Sequence, residues 1–150
     1  MSEQTLYPRL VVIESPLKAS TREDLVRNLR YARAALYDSV VVRQEAGFPS
    51  HLLYTQVMDD NDPGLRRIGM MAGFAWGRIA HVCAVYTDLG VSDGMQEGIN
   101  RHHGNGLRIE HRSIPNWQDL VRRGTFDRCL TLHLPQAAAP VRTSEPSVLP

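Results

Sequence analysis

Residues 81–103, HVCAVYTDLGVSDGMQEGINRHH, decide the fold. His81 to Thr87 is an apolar run that reads as a buried strand. Asp88 to Gly94 reads as a loop. Ser92 or Asp93 then opens a helix that ends around His103, before Gly104. A strand passing through a glycine-containing loop into a helix is the repeating step of an α/β domain.

The same step recurs on both sides. Arg9 to Glu14 (RLVVIE) is another apolar run and stops at Ser15-Pro16, because proline cannot continue a ladder. After the polar loop Leu17 to Ser20, Ser20 and Glu23 have the spacing of a capping box. Leu25, Leu29, Ala32, Leu36 and Val40 then recur every three or four residues, so a long amphipathic helix is expected to end near Gly47. Phe48 to Tyr54 reads as a short extended piece, followed by the acidic turn Met58 to Gly64.

Asp62 can cap a further helix with Pro63 in its first position. That helix carries Leu65, Ile68, Met71, Ala72 and Ala75 and is expected to reach about Ile79. Its Gly69, Gly73 and Gly77 make one flat face, suited to a close helix–helix or helix–sheet contact or to an oligomer. Downstream, Leu107 to His111 reads as a strand and Asn116 to Arg123 as a short helix. Cys129 to Leu134 alternates like an edge strand. The order strand, helix, helix, strand, helix, strand predicts an α/β sandwich with a mostly parallel sheet. The expected division is a single domain over 1–134, with its core at 9–114. Residues 135–150 hold four of the nine prolines and no aromatic, and read as a disordered tail.

Composition narrows the function. The 150 residues carry a formal net charge of +1, which disfavours a protein that coats nucleic acid polymers. Sixteen of the 17 basic residues are Arg, and Lys18 is the only Lys. Two readings fit that bias: G/C-rich coding, or recognition of phosphate or carboxylate by the guanidinium fork. Cys83 and Cys129 supply neither a disulfide framework nor metal-ligand spacing, so buried free thiols are expected. No apolar run approaches the roughly 18 residues of a membrane span. The opening MSEQTLYPRL lacks a signal pattern. A cytoplasmic setting is expected, in a bacterial or phage-infected cell.

Ligands of open α/β sheets bind outside the carboxyl ends of the strands. Ser15 to Lys18, His51 to Asp62 and Asp88 to Met95 should therefore converge there. Gly90 and Gly94 permit close backbone approach, and a helix start favours an anion. Ser92 or Asp93 can serve the ligand, the cap, or both. Asp59, Asp60 and Asp62 read as an acidic turn with a cap rather than a Mg²⁺ site. Arg66 and Arg67 read as a solvated face that can meet a phosphate. Trp76 and Phe74 read as core or subunit contacts, with an aromatic also able to stack a base. His102 and His103 are neighbours on one helix and point apart, and no Cys or carboxylate stands at ligand spacing from them. Neither metal nor cofactor is expected.

Four segments in this order carry a family resemblance: IESP at 13–16, FPSHLLYTQVMDDNDP at 48–63, GFAWG at 73–77 and YTDLGVSDGMQEGI at 86–99. With Asn28 on the long helix, they resemble the nucleoside 2-deoxyribosyltransferase-like superfamily, and in particular its small phage- and plasmid-borne members. The resemblance covers about residues 9–114. It implies a Rossmann-like three-layer fold, a nucleoside or nucleotide pocket and self-association. It also implies cleavage or transfer of an N-glycosidic bond through a Glu nucleophile, because a carboxylate stabilises an oxocarbenium-like transition state.

Here the chain departs from the family pattern. The position four residues after Gly94, where that Glu is usual, is Gly98. Glu97 stands one residue early, about 100 degrees around the helix. His81 replaces the Asp often found at the start of the preceding strand. Three readings stay open: a shifted turn lets Glu97 serve, Asp88 or Asp93 supplies the carboxylate, or the pocket binds without turnover. The expected ligand contacts are Ser15, Pro16, Lys18, His51, Asp88, Ser92, Asp93, Gly94 and Met95. The expected function is binding of a nucleoside or nucleotide, with sequestration of a nucleotide signal in phage counter-defence. The alternative is an N-glycosidase or 2-deoxyribosyltransferase.

Overall fold

A computed structural model of the chain describes residues 7–122. The edge strand expected at Cys129 to Leu134, the thiol of Cys129 and the tail at 135–150 lie outside the described residues. Four strands, β1 (Leu10–Glu14), β2 (Ala46–Phe48), β3 (Val82–Tyr86) and β4 (Arg108–Arg112), form one sheet in the order β2-β1-β3-β4. Every pairing is parallel. The helices are α1 (Arg22–Tyr37), α2 (Ser50–Tyr54), α3 (Pro63–Gly77), α4 (Asp93–Gly104) and α5 (Trp117–Arg122). The α/β sandwich read from the sequence is the fold.

Each face of the sheet has its own core. On one side Val11, Ile13, Val82, Ala84 and Tyr86 meet Tyr31, Ala34 and Ala35 of α1 and Trp117 and Val121 of α5. Tyr31 and Trp117 pack edge to face with ring centroids 5.3 Å apart. The opposite side is smaller: Cys83, Val85, Met95 and Leu107, with Ile99 and Ile109 against them. α4 covers this face and α3 packs beside it. No helix among the described residues is long and apolar enough to cross a membrane.

Local chemistry moved three boundaries. Thr21, not Ser20, caps α1: it is extended, and its Oγ1 accepts from Asp24 N–H at 3.1 Å. The α-helix stops at Tyr37 and continues as a π-turn over Asp38–Val42, where the β-branched run Val40, Val41 and Val42 disfavours further α-helix. Gln44, at φ 57°, then turns the chain into β2. The piece expected to be extended from Phe48 to Tyr54 divides, because Pro49 sits extended before the helical turn of α2. The caps of α3 and α4 follow the sequence. Asp62 accepts from Leu65 N–H at 2.9 Å, and Ser92 accepts from Met95 N–H at 3.3 Å.

The glycine face of α3 is used inside the chain. A Cβ on Gly69 would meet Met58 at 2.8 Å, and one on Gly73 would meet Ser50 Oγ at 2.7 Å. A Cβ on Gly77 would run into the ring of His102. Gly77→Ala should therefore cost about 1–3 kcal/mol by overpacking. Gly104→Ala, with open space around it, should be neutral or stabilise α4 by up to about 1 kcal/mol. Urea denaturation of the two variants checks the contrast, and equal effects would refute the close α3–α4 fit.

Candidate functional site

β1 ends in Glu14 and Ser15, and these two residues open a cavity of about 420 Å³ walled by α2, α3 and the start of α4. The volume suits a small organic ligand. Ser15, Lys18, His51, Ser92, Asp93, Gly94 and Met95 all line it. Pro16, Asp88 and Glu97 do not. Pro16 is buried beneath the loop and Glu97 faces solvent on α4. The loop after β1 is held from below, where Asn28 Nδ2 donates to the Leu17 carbonyl at 3.0 Å.

Asp88 is a structural clamp. Its carboxylate accepts from Tyr31 Oη at 2.6 Å, Ser113 Oγ at 2.6 Å and Ile114 N–H at 2.8 Å. Burial alone would raise its pKa, but these hydrogen bonds outweigh burial and hold it below the ordinary value. It ties the end of β3 to α1 and to the segment after β4. His81 is at the other end of the sheet, where its Nδ1 accepts from Leu10 N–H at 2.9 Å.

Ser15 and His51 share a hydrogen bond of 2.8 Å in the cavity wall. Burial pushes the His51 imidazole down to about 4, so it is neutral at pH 7 and offers one donor and one acceptor. Ser92 both caps α4 and faces the cavity. The first N–H groups of a helix have no intrahelical partner, and α4 presents that end to the cavity. Lys18 and Arg66 add positive charge; Arg66 is paired with Asp60 at 2.5 Å. Asp59 and Asp62 are each engaged within the turn, by Asn61 and Leu65.

Sequence reading missed Glu14, Met70 and the place of Gly69 and Gly73 in the cavity wall, which Phe74, read as core, contact or base-stacking aromatic, also lines. Glu14 carries a visible signal: it is the single charged residue after four apolar ones, at the carboxyl end of a strand. Its carboxylate fills the space beside Gly98, where a Cβ would lie 2.7 Å from Oε1. The cavity thus has a carboxylate next to Gly98, delivered by β1 rather than by α4. Glu14, Cys83 and His102 also bring three metal-ligating atoms within 4.8 Å of one another.

The depressed pKa of His51 makes stability pH-dependent. Below its unfolded value of about 6.5 the unfolded chain takes up a proton that the folded chain refuses. Stability linked to His51 is full above that value and falls as pH drops toward 4, by at most about 3 kcal/mol. Denaturation of wild type and His51→Gln at pH 7 and pH 5 checks this. The wild type should lose more on acidification, and parallel losses would refute it.

No curated protein and no solved structure matches the chain. The model of a family described as a domain of unknown function (DUF7768) matches residues 9–112, from just before β1 to the last residue of β4, and the chain belongs to that family.

Proposed function

We propose that the chain binds a nucleoside- or nucleotide-type small ligand in this cavity and holds it without glycosidic turnover. The carrying observation is the convergence of Ser15, Lys18, His51 and the Ser92–Met95 turn on one cavity of about 420 Å³. Each supplies a complementary group. The start of α4 and Lys18 attract an anion such as a phosphate. The Ser15–His51 pair and the Asp93 and Glu14 carboxylates hydrogen-bond sugar hydroxyls. Glu97, exposed on α4, is not part of the cavity. Holding such a ligand would sequester a nucleotide signal, the role the resemblance to phage-borne proteins suggests for counter-defence.

Self-association belongs to the same proposal. The glycine face of α3 is occupied within the protomer, so an assembly would use the opposite face. Ile68 and Met71 are exposed there.

One observation favours a second reading, an N-glycosidase or 2-deoxyribosyltransferase. The Glu14 carboxylate beside Gly98 can stabilise or trap an oxocarbenium-like sugar while the base departs with the bonding electron pair. The test is incubation with a panel of nucleosides, nucleotides and cyclic nucleotides, followed by denaturation and chromatography. Binding predicts an intact ligand and an affinity loss of about tenfold, or roughly 1.4 kcal/mol, in Lys18→Ala and Ser92→Ala. Release of free base that disappears in Glu14→Gln establishes the second reading instead. Failure to retain or cleave any panel member overturns both.

A further inference from the structure

The polar cluster beneath the cavity lies in an otherwise apolar setting. In the β1–β3 register Val12 pairs with Cys83 and Glu14 with Val85. Alternation then puts Glu14 and Cys83 on the same face of the sheet. α4 lies on that face and turns Met95, Gly98 and His102 inward. Cys83 is fully buried, His102 is 1% exposed, and the Glu14 side chain is 16% exposed.

These groups do not satisfy one another. His102 Nε2 lies 3.5 Å from Glu14 Oε1, too long for a good hydrogen bond. His102 Nδ1 is buried with no hydrogen-bond partner among the described residues. Nδ1 is the ring nitrogen nearer Gly77 and Nε2 the one that approaches Glu14, so Nε2 is the donor the ring offers to the cluster. Two glycines nevertheless keep room for the cluster: Gly77 for the His102 ring and Gly98 for the Glu14 carboxylate.

We propose that Glu14, Cys83 and His102 form a divalent transition-metal site of the zinc type at the floor of the cavity. One sulfur, one nitrogen and one oxygen donor suit Zn²⁺ and its Co²⁺ surrogate rather than Mg²⁺ or Ca²⁺, which prefer oxygen. Donors of a tetrahedral site with bonds of about 2.0–2.3 Å stand roughly 3.5 Å apart. The His102–Glu14 pair already has that spacing, and all three donors lie within 4.8 Å of one another. Glu14 and Gly98 line the cavity, so the fourth coordination position opens toward it.

Charge balances as well. A divalent cation with one thiolate, one carboxylate and a neutral imidazole makes a neutral site. A thiol that ligates a divalent ion does so as the thiolate, and its proton goes to solvent when the S–metal bond forms. No redox step is involved.

The test uses the full, tag-free chain with Cys129→Ala, which leaves Cys83 as its sole thiol. After chelator treatment the protein is titrated with Co²⁺ alone, without any nucleotide. The expected result is one equivalent bound, with a thiolate-to-cobalt charge-transfer band, release of about one proton per ion at neutral pH, and displacement by Zn²⁺. Glu14→Gln and His102→Gln should weaken Co²⁺ binding about 100-fold or more, at least the cost of losing a supporting partner of a ligand. His103→Gln, on the exposed neighbour, should leave binding unchanged. Absence of the charge-transfer band overturns the proposal. So does binding that survives Cys83→Ser in a chain whose circular dichroism matches the parent. The band is read with Cys83 intact, so misfolding of a buried-site variant does not remove the test. The readout needs no nucleotide, so its failure leaves the ligand proposal untouched.

Discussion

The missing Cβ atoms of Gly77 and Gly98 fix how α3, α4 and β1 come together. A side chain at 77 would strike the His102 ring, and one at 98 would strike the Glu14 carboxylate. Close packing leaves little slack for either collision to relax. The consequences run outward from these contacts. α4 can lie low on the sheet, so its first turn reaches the carboxyl end of β1. α3 can stand beside it as the far wall of the cavity. The apolar core under α4 is small, with Cys83, Val85, Met95 and Leu107 as its buried members. Two polar side chains within so small a core are a substantial local cost, which is why their presence points to chemistry rather than to packing.

The other face of the sheet is built differently: its buried charges are paired, although Arg112 Nε has no hydrogen-bond partner among the described residues. Arg112 meets Glu45 through two contacts of 2.7 and 2.9 Å, with both side chains at most 5% exposed. Burial works against the Glu45 charge, but the hydrogen bonds from Arg112, Arg9 and Ser39 hold its carboxyl down to about 2. Buried pairs of this kind add little net stability yet cost several kcal/mol when one partner is lost. Here they join the chain before β2 to the end of β4, while Asp88 joins β3 to α1. Asp88 is thereby committed to the scaffold. Of the carboxylates that strand ends and helix starts could have offered the cavity, Glu14 and Asp93 are left.

The parts legible in the sequence are those governed by neighbours along the chain. The apolar runs of β1 and β3 announce themselves, and the caps Asp62-Pro63 and Ser92 define α3 and α4 within a residue or two. Even there, Thr21 took the cap from Ser20 because one residue of backbone geometry decides it. Glu14 was hidden by its own strand. A run buried on both faces has no polar alternation to say which way its last residue points. The polar cluster was hidden by distance along the chain. Residues 14, 83 and 102 have no common spacing, and only the β1–β3 register and the pitch of α4 bring them together. The glycines of α3 were recognised as a flat face, but periodicity alone does not name the partner of a flat face.

The roles open to Glu14 compete with one another. A carboxylate that traps an oxocarbenium ion must keep a lone pair and its negative charge free for the sugar carbon. A carboxylate that accepts from sugar hydroxyls gives up lone pairs but keeps its charge. A carboxylate shared with Cys83 and His102 around a divalent ion has that charge neutralised, and its oxygen is fixed toward α4 rather than toward the cavity. The third role therefore opposes covalent glycosidic chemistry at Glu14, and it leaves ligand contacts to Ser15, His51, Lys18 and the start of α4. The glycine at position 98 then has a physical sense. Removing a side chain from α4 admits a carboxylate from β1 and leaves it 3.5 Å from His102 Nε2, the donor spacing that the proposed site requires.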